Sequence, residues 1–245
     1  MSRRVVRVEH GHLRIEQRLR LRRRATGTDV SGPTCIYAIV HVTRGRVVYL
    51  HGATRVSAPR CFAVFLPPFG IVQAVLEHCD VTSVALAFRP QASDGLPQQP
   101  ILLSTISERP PRSRNEALDR LHRAEAATNI SRANAPTSMA VHGKAIIDRQ
   151  YKTSLQIGRI ATRLQTSPAV FSRAFRKSYG MPPVRYRHHL RIMDALVQFA
   201  EGAVPADVFQ DVGFDDLSRF YKIFRKVTCA APGSYRPVRS RNAKT

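Results

Sequence analysis

The chain has no tryptophan and little negative charge: 17 Asp and Glu stand against 39 Lys and Arg, a formal net charge of +22 over 245 residues. That imbalance points to a polyanionic partner, nucleic acid ahead of an anionic membrane surface. Cysteine is scarce too. Cys35, Cys61, Cys79 and Cys229 form no CxxC pair, which excludes a zinc ribbon and a dithiol redox motif; reduced thiols and a cytoplasmic, nucleoid-associated location are expected. Long apolar runs are missing. The most apolar stretch, 61–76, is interrupted by Pro67, Pro68 and Gly70, so it cannot span a bilayer. No apolar segment follows Arg3 and Arg4 to make a secretion signal, so no membrane association is expected. Gly-rich phosphate loops, nucleophile elbows and a catalytic Cys–His arrangement are also absent, and Cys79 beside His78 stands alone. Nine His residues are present. His10 and His12 share a strand face, and His41, His51 and His78 fall in the strand-rich half. They lack the His-x-His, Glu and distant His spacing of a metal-binding cupin, so neither metal nor cofactor is expected.

What is present suffices for a folded core, since 43% of residues are apolar. Residues 1–90 read as strands. Val5 to Leu21 alternates apolar and Arg-rich positions. The segment from Cys35 to Gly52 is two β-branched runs around Arg44-Gly45, a hairpin signal. One strand fits the segment from Cys61 to Pro68, and a further pair fits 70–88 with a turn near Cys79-Asp80. Gly and Pro turns between short strands suggest a β-barrel or jelly roll. Residues 91–137 are Pro-rich and read as a linker. Within it Asn115 to Ala127 forms a helix with Leu118 and Leu121 on its apolar side, assigned to dimerisation. From 138 to 238 the pattern is helical, so the chain is α+β.

The helical third contains a repeat. Phe171, Phe175, Lys177, Pro183 and Tyr186 recur 49 positions later as Phe220, Phe224, Lys226, Pro232 and Tyr235. Ser167 recurs as Asp216, so each second helix opens on a capping side chain. In each copy a short helix (155–164; 205–212) precedes a longer one (168–179; 217–227) across a tight turn, the helix-turn-helix pattern. The second helices carry Arg173, Arg176 and Lys177, and Arg219, Lys222, Arg225 and Lys226, with no acid after Asp216. A connecting helix of about nineteen residues, 183–201, would be roughly 28 Å long, close to the ~34 Å between successive major grooves on one duplex face. His188 and His189 on it read as surface residues.

The pattern Ile160, Ala161, Leu164, Ser167, Phe171, Arg173, Phe175, Gly180, Pro183 and Tyr186, with Arg191 and Ala195 on the connecting helix and Pro232, Tyr235 and Arg236 at the end, resembles the DNA-binding domain of the AraC/XylS family of bacterial regulators. The resemblance runs from about Ala140 to Arg236. It implies base reading by Ala169, Ser172 and Arg173 in the first unit and by Leu217, Ser218, Arg219 and Lys222 in the second. Ser167 belongs to the same interface, and Arg176, Lys177, Arg225 and Lys226 would face phosphates. It further implies promoter DNA and RNA polymerase as partners, with activation the expected outcome. The first half is similar to the family's cupin-like sensor, which meets an effector, a regulatory protein or a second copy of the chain. Two positions depart from the pattern: Phe209 replaces a small Ala and should displace neighbours or tilt its helix, and Cys229 replaces Gly. A non-specific nucleic-acid-coating protein and a cupin enzyme fused to a DNA-binding tail are the competing readings.

Overall fold

The computed structural model describes residues 2–9, 12–51, 54–104, 109–124, 127–130, 136–228 and 230–235. The first part is a nine-stranded antiparallel sheet: β1 (Ser2–Glu9), β2 (His12–Arg20), β3 (Ala25–Val30), β4 (Cys35–His51), β5 (Thr54–Ser57), β6 (Cys61–Leu66), β7 (Ile71–Phe88), β8 (Ile101–Ser104) and β9 (Ala127–Asn129). The order is β1-β2-β7-β4-β6-β8-β9, with β3 beside β7 and β5 beside β4.

Two expected hairpins are each a single bent strand. Cys35–Val42 and Arg46–Tyr49 both pair with β7, at Phe88–Val81 and Glu77–Ala74 respectively, so β4 runs on through Gly45. The register shifts on either side of Arg44, and positive φ at Gly45 (80°) and His78 (49°) turns both strands at one corner. A bulge with a left-handed residue carries the same local sequence signature as a tight turn. The corner bends both long strands and curls the antiparallel sheet around its lumen side.

Alternation then sorts side chains to two buried faces. Ile36, Val40, Val64 and Ala85 face the lumen, while Tyr37, Ile39, Phe65 and Leu86 face outward. The outer face is covered by α1 (Arg114–His122), capped by Ser113, whose hydroxyl accepts from the Glu116 N–H. Ala117, Leu118 and Leu121 pack on that face. The apolar side assigned to dimerisation is thus occupied by the chain's own sheet. Likewise β8 and β9, from the stretch expected to be linker, pair with β6 and with each other.

The rest is helical: α2 (Ser138–Gln150), α3 (Ile157–Arg163), α4 (Pro168–Tyr179), α5 (Pro183–Ala200), α6 (Pro205–Asp211) and α7 (Leu217–Thr228), ending in a 3-10 turn at Pro232–Tyr235. Ile147, Ile160, Phe171, Phe175, Tyr179 and Tyr186 form the first helical core, which reaches Val30 and Ile71 of the sheet. Phe199, Val208, Phe214, Phe220, Phe224 and Tyr235 form the second, continuous with the lumen side of the sheet through Ile192, Met193 and Leu196 of α5. The sheet and the helices therefore share one apolar interior.

Candidate nucleic-acid interface

The two second helices have the same construction. In α4 the Ser167 hydroxyl accepts from the Val170 N–H, Pro168 occupies the first turn, and Gly180 at φ 73° ends the helix. In α7 the Asp216 carboxylate accepts from the N–H groups of Ser218 and Arg219 at 3.0 Å each. Phe171, Phe175 and Tyr179 form the buried stripe of α4, and Phe220, Phe224 and Thr228 that of α7. Spacing of four places the remaining positions outward. Ala169, Arg173, Arg176 and Lys177 are exposed and Ser172 is half-buried; Leu217, Ser218, Arg219, Lys222, Arg225 and Lys226 are exposed. Each helix therefore offers solvent a face of cations with small or apolar residues toward its N-terminus. Val170 (39% exposed) and Leu217 (38%) are among the few large apolar side chains left open.

One continuous helix joins the units. The 18-residue α5 is about 27 Å long, and Leu190 to Val197 are all buried. Two charged residues sit inside this apolar run. Arg191 donates from Nε to the Tyr151 carbonyl (2.6 Å) and from Nη2 to the Thr153 carbonyl (2.8 Å), satisfying the turn that leaves α2. Asp194 accepts from the Tyr151 hydroxyl at 2.9 Å and pairs with Lys152 Nζ at 2.7 Å. The second unit docks on the same turn, because Gly213 at φ 91° lies directly against the Lys152 carbonyl. Next to it, the Phe214 ring lies 5.2 Å beneath the Arg191 guanidinium and stacks with His188. Helical spacing marks Tyr151 only as an apolar position, and the roles of Asp194 and Phe214 at this junction have no local sequence pattern. The usable signal was an acid and a base three positions apart within "LRIMDALVQF".

His188 is half-buried rather than on the surface. Its pKa falls to about 4, chiefly through burial and then through Arg187, Arg191, Arg219 and Lys226. Burial also lowers Arg191, to about 10. At neutral pH this junction holds a neutral imidazole among guanidinium groups.

α6 turns Val208 fully inward and leaves Phe209 half-buried against the rim of the same core, its carbonyl accepting from the Phe214 N–H at 2.8 Å. Cys229 lies outside the described residues.

A cavity of about 360 Å³ opens from the lumen, with Gln17, Asp29, Tyr49 and Ser83 on its walls and Met181 and Arg185 from the α4–α5 turn at its mouth. Burial pushes the Cys35 thiol up to about 12 and raises that of Cys79, so both are poor nucleophiles at neutral pH. Among the described residues no group of three His, Cys, Asp or Glu could hold a metal ion, and no helix is long and apolar enough to cross a membrane.

Comparison with known proteins agrees with this geometry. Residues 160–237 match the family described as "Helix-turn-helix domain". The arabinose operon regulatory protein of Escherichia coli (strain K12) is 32% identical over 92 residues, covering 37% of this chain and 32% of that protein. Its Salmonella typhimurium counterpart is also 32% identical, covering 37% of this chain and 33% of that protein. The chain carries a helix-turn-helix domain. It spans about a third of the length of the curated relatives it matches. Among solved structures, the C-terminal domain of the response regulator AraT from Geobacillus stearothermophilus covers 45% of this chain and 95% of its own length, at 20% identity and TM-score 0.41. ToxT from Vibrio cholerae strain SCE256, bound to an unsaturated fatty acid, covers 89% and 93% at 11% identity and TM-score 0.45. Within that domain, α3–α4 and α6–α7 are the two short-then-long helix pairs and α5 is the helix between them.

Proposed function

We propose that this chain is a sequence-specific DNA-binding regulator of transcription whose recognition helices, α4 and α7, enter successive major grooves of one duplex face. The observation that carries this reading is the paired, outward, acid-free basic faces of α4 and α7, joined through α5, which is about 27 Å long. Arg173 reads a base by bidentate donation to guanine, and Ala169, Ser172, Leu217, Ser218, Arg219 and Lys222 line the same faces. Ser167, Arg176 and Lys177 meet phosphates and set the register. In this reading residues 138–238 are the DNA-binding domain, the sheet domain receives a small polar effector in the lumen cavity or pairs with a second copy, and the bound protein engages RNA polymerase as an activator. The cavity falls within the range of small-molecule sites, roughly 300–1,000 Å³.

The test is selection of bound duplexes from a random pool, followed by Arg173→Ala and Lys177→Ala. Arg173→Ala should relax preference at one base pair by about 1–3 kcal/mol. Lys177→Ala should weaken all sequences evenly and reduce the salt slope by about 1. Identical changes on every sequence in both variants would mean that the reading face is wrongly assigned. Failure to enrich any sequence over random competitor would favour a coating protein.

A further inference from the structure

The corner where β4 and β7 bend carries a charge cluster remote from the helical units. On one side Arg18 and Arg20 end β2, and Arg22, Arg23 and Arg24 form the turn to β3; all five are exposed. On the other side the bulge around Gly45 throws Arg44 and Arg46 outward. Arg60 joins them, donating from Nη1 to the Thr43 carbonyl at 3.1 Å. Register holds the cluster together: Arg20 and Arg44 both lie opposite Asp80, and Arg46 lies opposite Glu77. The His78 ring, which bonds the Arg22 carbonyl at 2.9 Å, ties the turn to the corner. Asp80 and Glu77 are the acids here: Asp80 pairs with Arg18 and Arg20, and Glu77 with Arg24. Two carboxylates facing eight guanidinium groups leave a large local excess of like charge, which repels itself in the absence of an anion.

The chemistry of the cluster selects its partner. Every cation in it is Arg; the first 143 residues contain no Lys. The planar guanidinium fork suits bidentate phosphate binding. A membrane-docking surface would add apolar side chains to insert among lipids, yet among the described side chains the exposed large hydrophobics, Val141, Val170, Val184, Val204 and Leu217, lie elsewhere. Position points the same way. Gly180, at the end of α4, abuts Thr28 of β3, and Arg24 is four residues back along the strand, roughly 13 Å. The cluster therefore begins within one duplex turn, about 34 Å, of the basic end of α4.

We propose that this arginine corner is a second duplex-DNA contact, which grips the phosphate backbone flanking the site read by the helices. It rests on the reading that α4 and α7 bind DNA, and it makes the sheet domain part of the DNA-binding surface. Flanking DNA that reaches the corner bends around the protein, and the protein covers more duplex than two helix-turn-helix units need.

The test uses the full chain and a selected site embedded in duplexes of about 20 bp, enough for two adjacent grooves, and about 60 bp. Arg22→Ser/Arg23→Ser/Arg24→Ser should weaken binding to the long duplex about 10-fold at physiological salt. Its log K against log salt slope should fall by about 2–3, near 0.9 per phosphate lost. Binding to the short duplex should change less than twofold. Arg44→Ser/Arg46→Ser is an independent variant from the other side and should behave alike, while replacement of the three turn arginines by Lys should keep most of the slope. Equal losses on both duplexes, or no loss on either, would overturn the proposal. So would loss of sedimentation with phosphatidylserine-containing vesicles while long-duplex binding stays intact, which would assign the corner to a membrane. If the unaltered protein binds neither duplex, the helix reading itself has failed, an outcome distinct from all of these.

Discussion

Gly213→Ala tests whether the two helix-turn-helix units are held as one body. Gly213 has φ 91°, a region where an L side chain costs about 1–2 kcal/mol. A methyl there would also meet the Lys152 backbone, 2.6 Å from its carbonyl carbon and 2.9 Å from its Cα. Backbone cannot swing aside as a side-chain tip can, and the carbonyls on either side, of Tyr151 and Thr153, are fixed by Arg191. Overpacking of this kind adds about 1–3 kcal/mol, so a total near 2–5 kcal/mol is expected. For a cooperative chain of this size that lowers Tm by roughly 4–20 °C, at about 2–4 °C per kcal/mol. Gly158→Ala is the control, since nothing lies within 4 Å of its added methyl in α3; it should raise stability by about 0.5–1 kcal/mol. Calorimetry reads both, and DNA titration supplies a second measure. Because Gly213→Ala shifts α6–α7 against α3–α4, affinity for a site with both half-sites should fall more than affinity for the first half-site alone. If the variant melts within 1 °C of the parent and binds both sites unchanged, the Lys152 contact does not set the relation between the units.

Further consequences follow from the same region. Gln165 occupies the turn of the first unit at φ 52°, so Gln165→Gly should stabilise by about 1 kcal/mol in urea unfolding, and a destabilisation would contradict the left-handed geometry. His188 is depressed to about 4 by burial and four neighbouring cations. Above its unfolded value, near 6.5, it is neutral in both states and contributes no slope. As pH falls from 6.5 toward 4 the unfolded chain takes up a proton that the folded chain refuses, so stability declines. The ring is not fully enclosed, and solvent screening limits the loss to about 1–2 kcal/mol. His188→Gln should flatten that part of the stability-against-pH curve; an unchanged curve would mean that the imidazole titrates freely.

Local signals carried the recognition helices well. Ser167-Pro168 and Gly180 mark the ends of α4, and the 49-residue repeat transferred the same geometry to α7. Those ends depend on backbone groups within one turn of the marking residue, so nearby sequence determines them. The β4 and β7 corner is not legible in local sequence, for the complementary reason. A hairpin and a bulged strand both read as β-branched, glycine, β-branched, and only the partner tells them apart. That partner, Asp80 opposite Arg44, lies 36 residues away. The same limit hid the Arg191–Tyr151 and Gly213–Lys152 contacts, which join segments about 40 and 60 residues apart. Helical periodicity reports that the face of α1 bearing Leu118 and Leu121 is apolar; it is silent on whether a second copy or the chain's own sheet covers it.

The buried arginine and aspartate of α5 show what such long-range contacts accomplish. A connecting helix that only spanned two grooves could be apolar on one face and solvated on the other. Here Arg191 and Asp194 are buried at 5% and 1% exposure, at a desolvation cost that an apolar pair would avoid. Besides Arg89, which approaches Asp194 to 4.0 Å, their partners lie in the Tyr151–Thr153 turn, against which the second unit also seats Gly213. Hydrogen-bond geometry at that turn is directional where apolar packing is not. The pair therefore fixes the rotation of α5 about its axis, and with it the direction in which α4 and α7 present their basic faces. In the proposed two-groove reading, that rotational setting matters more than the extra stability of an apolar core.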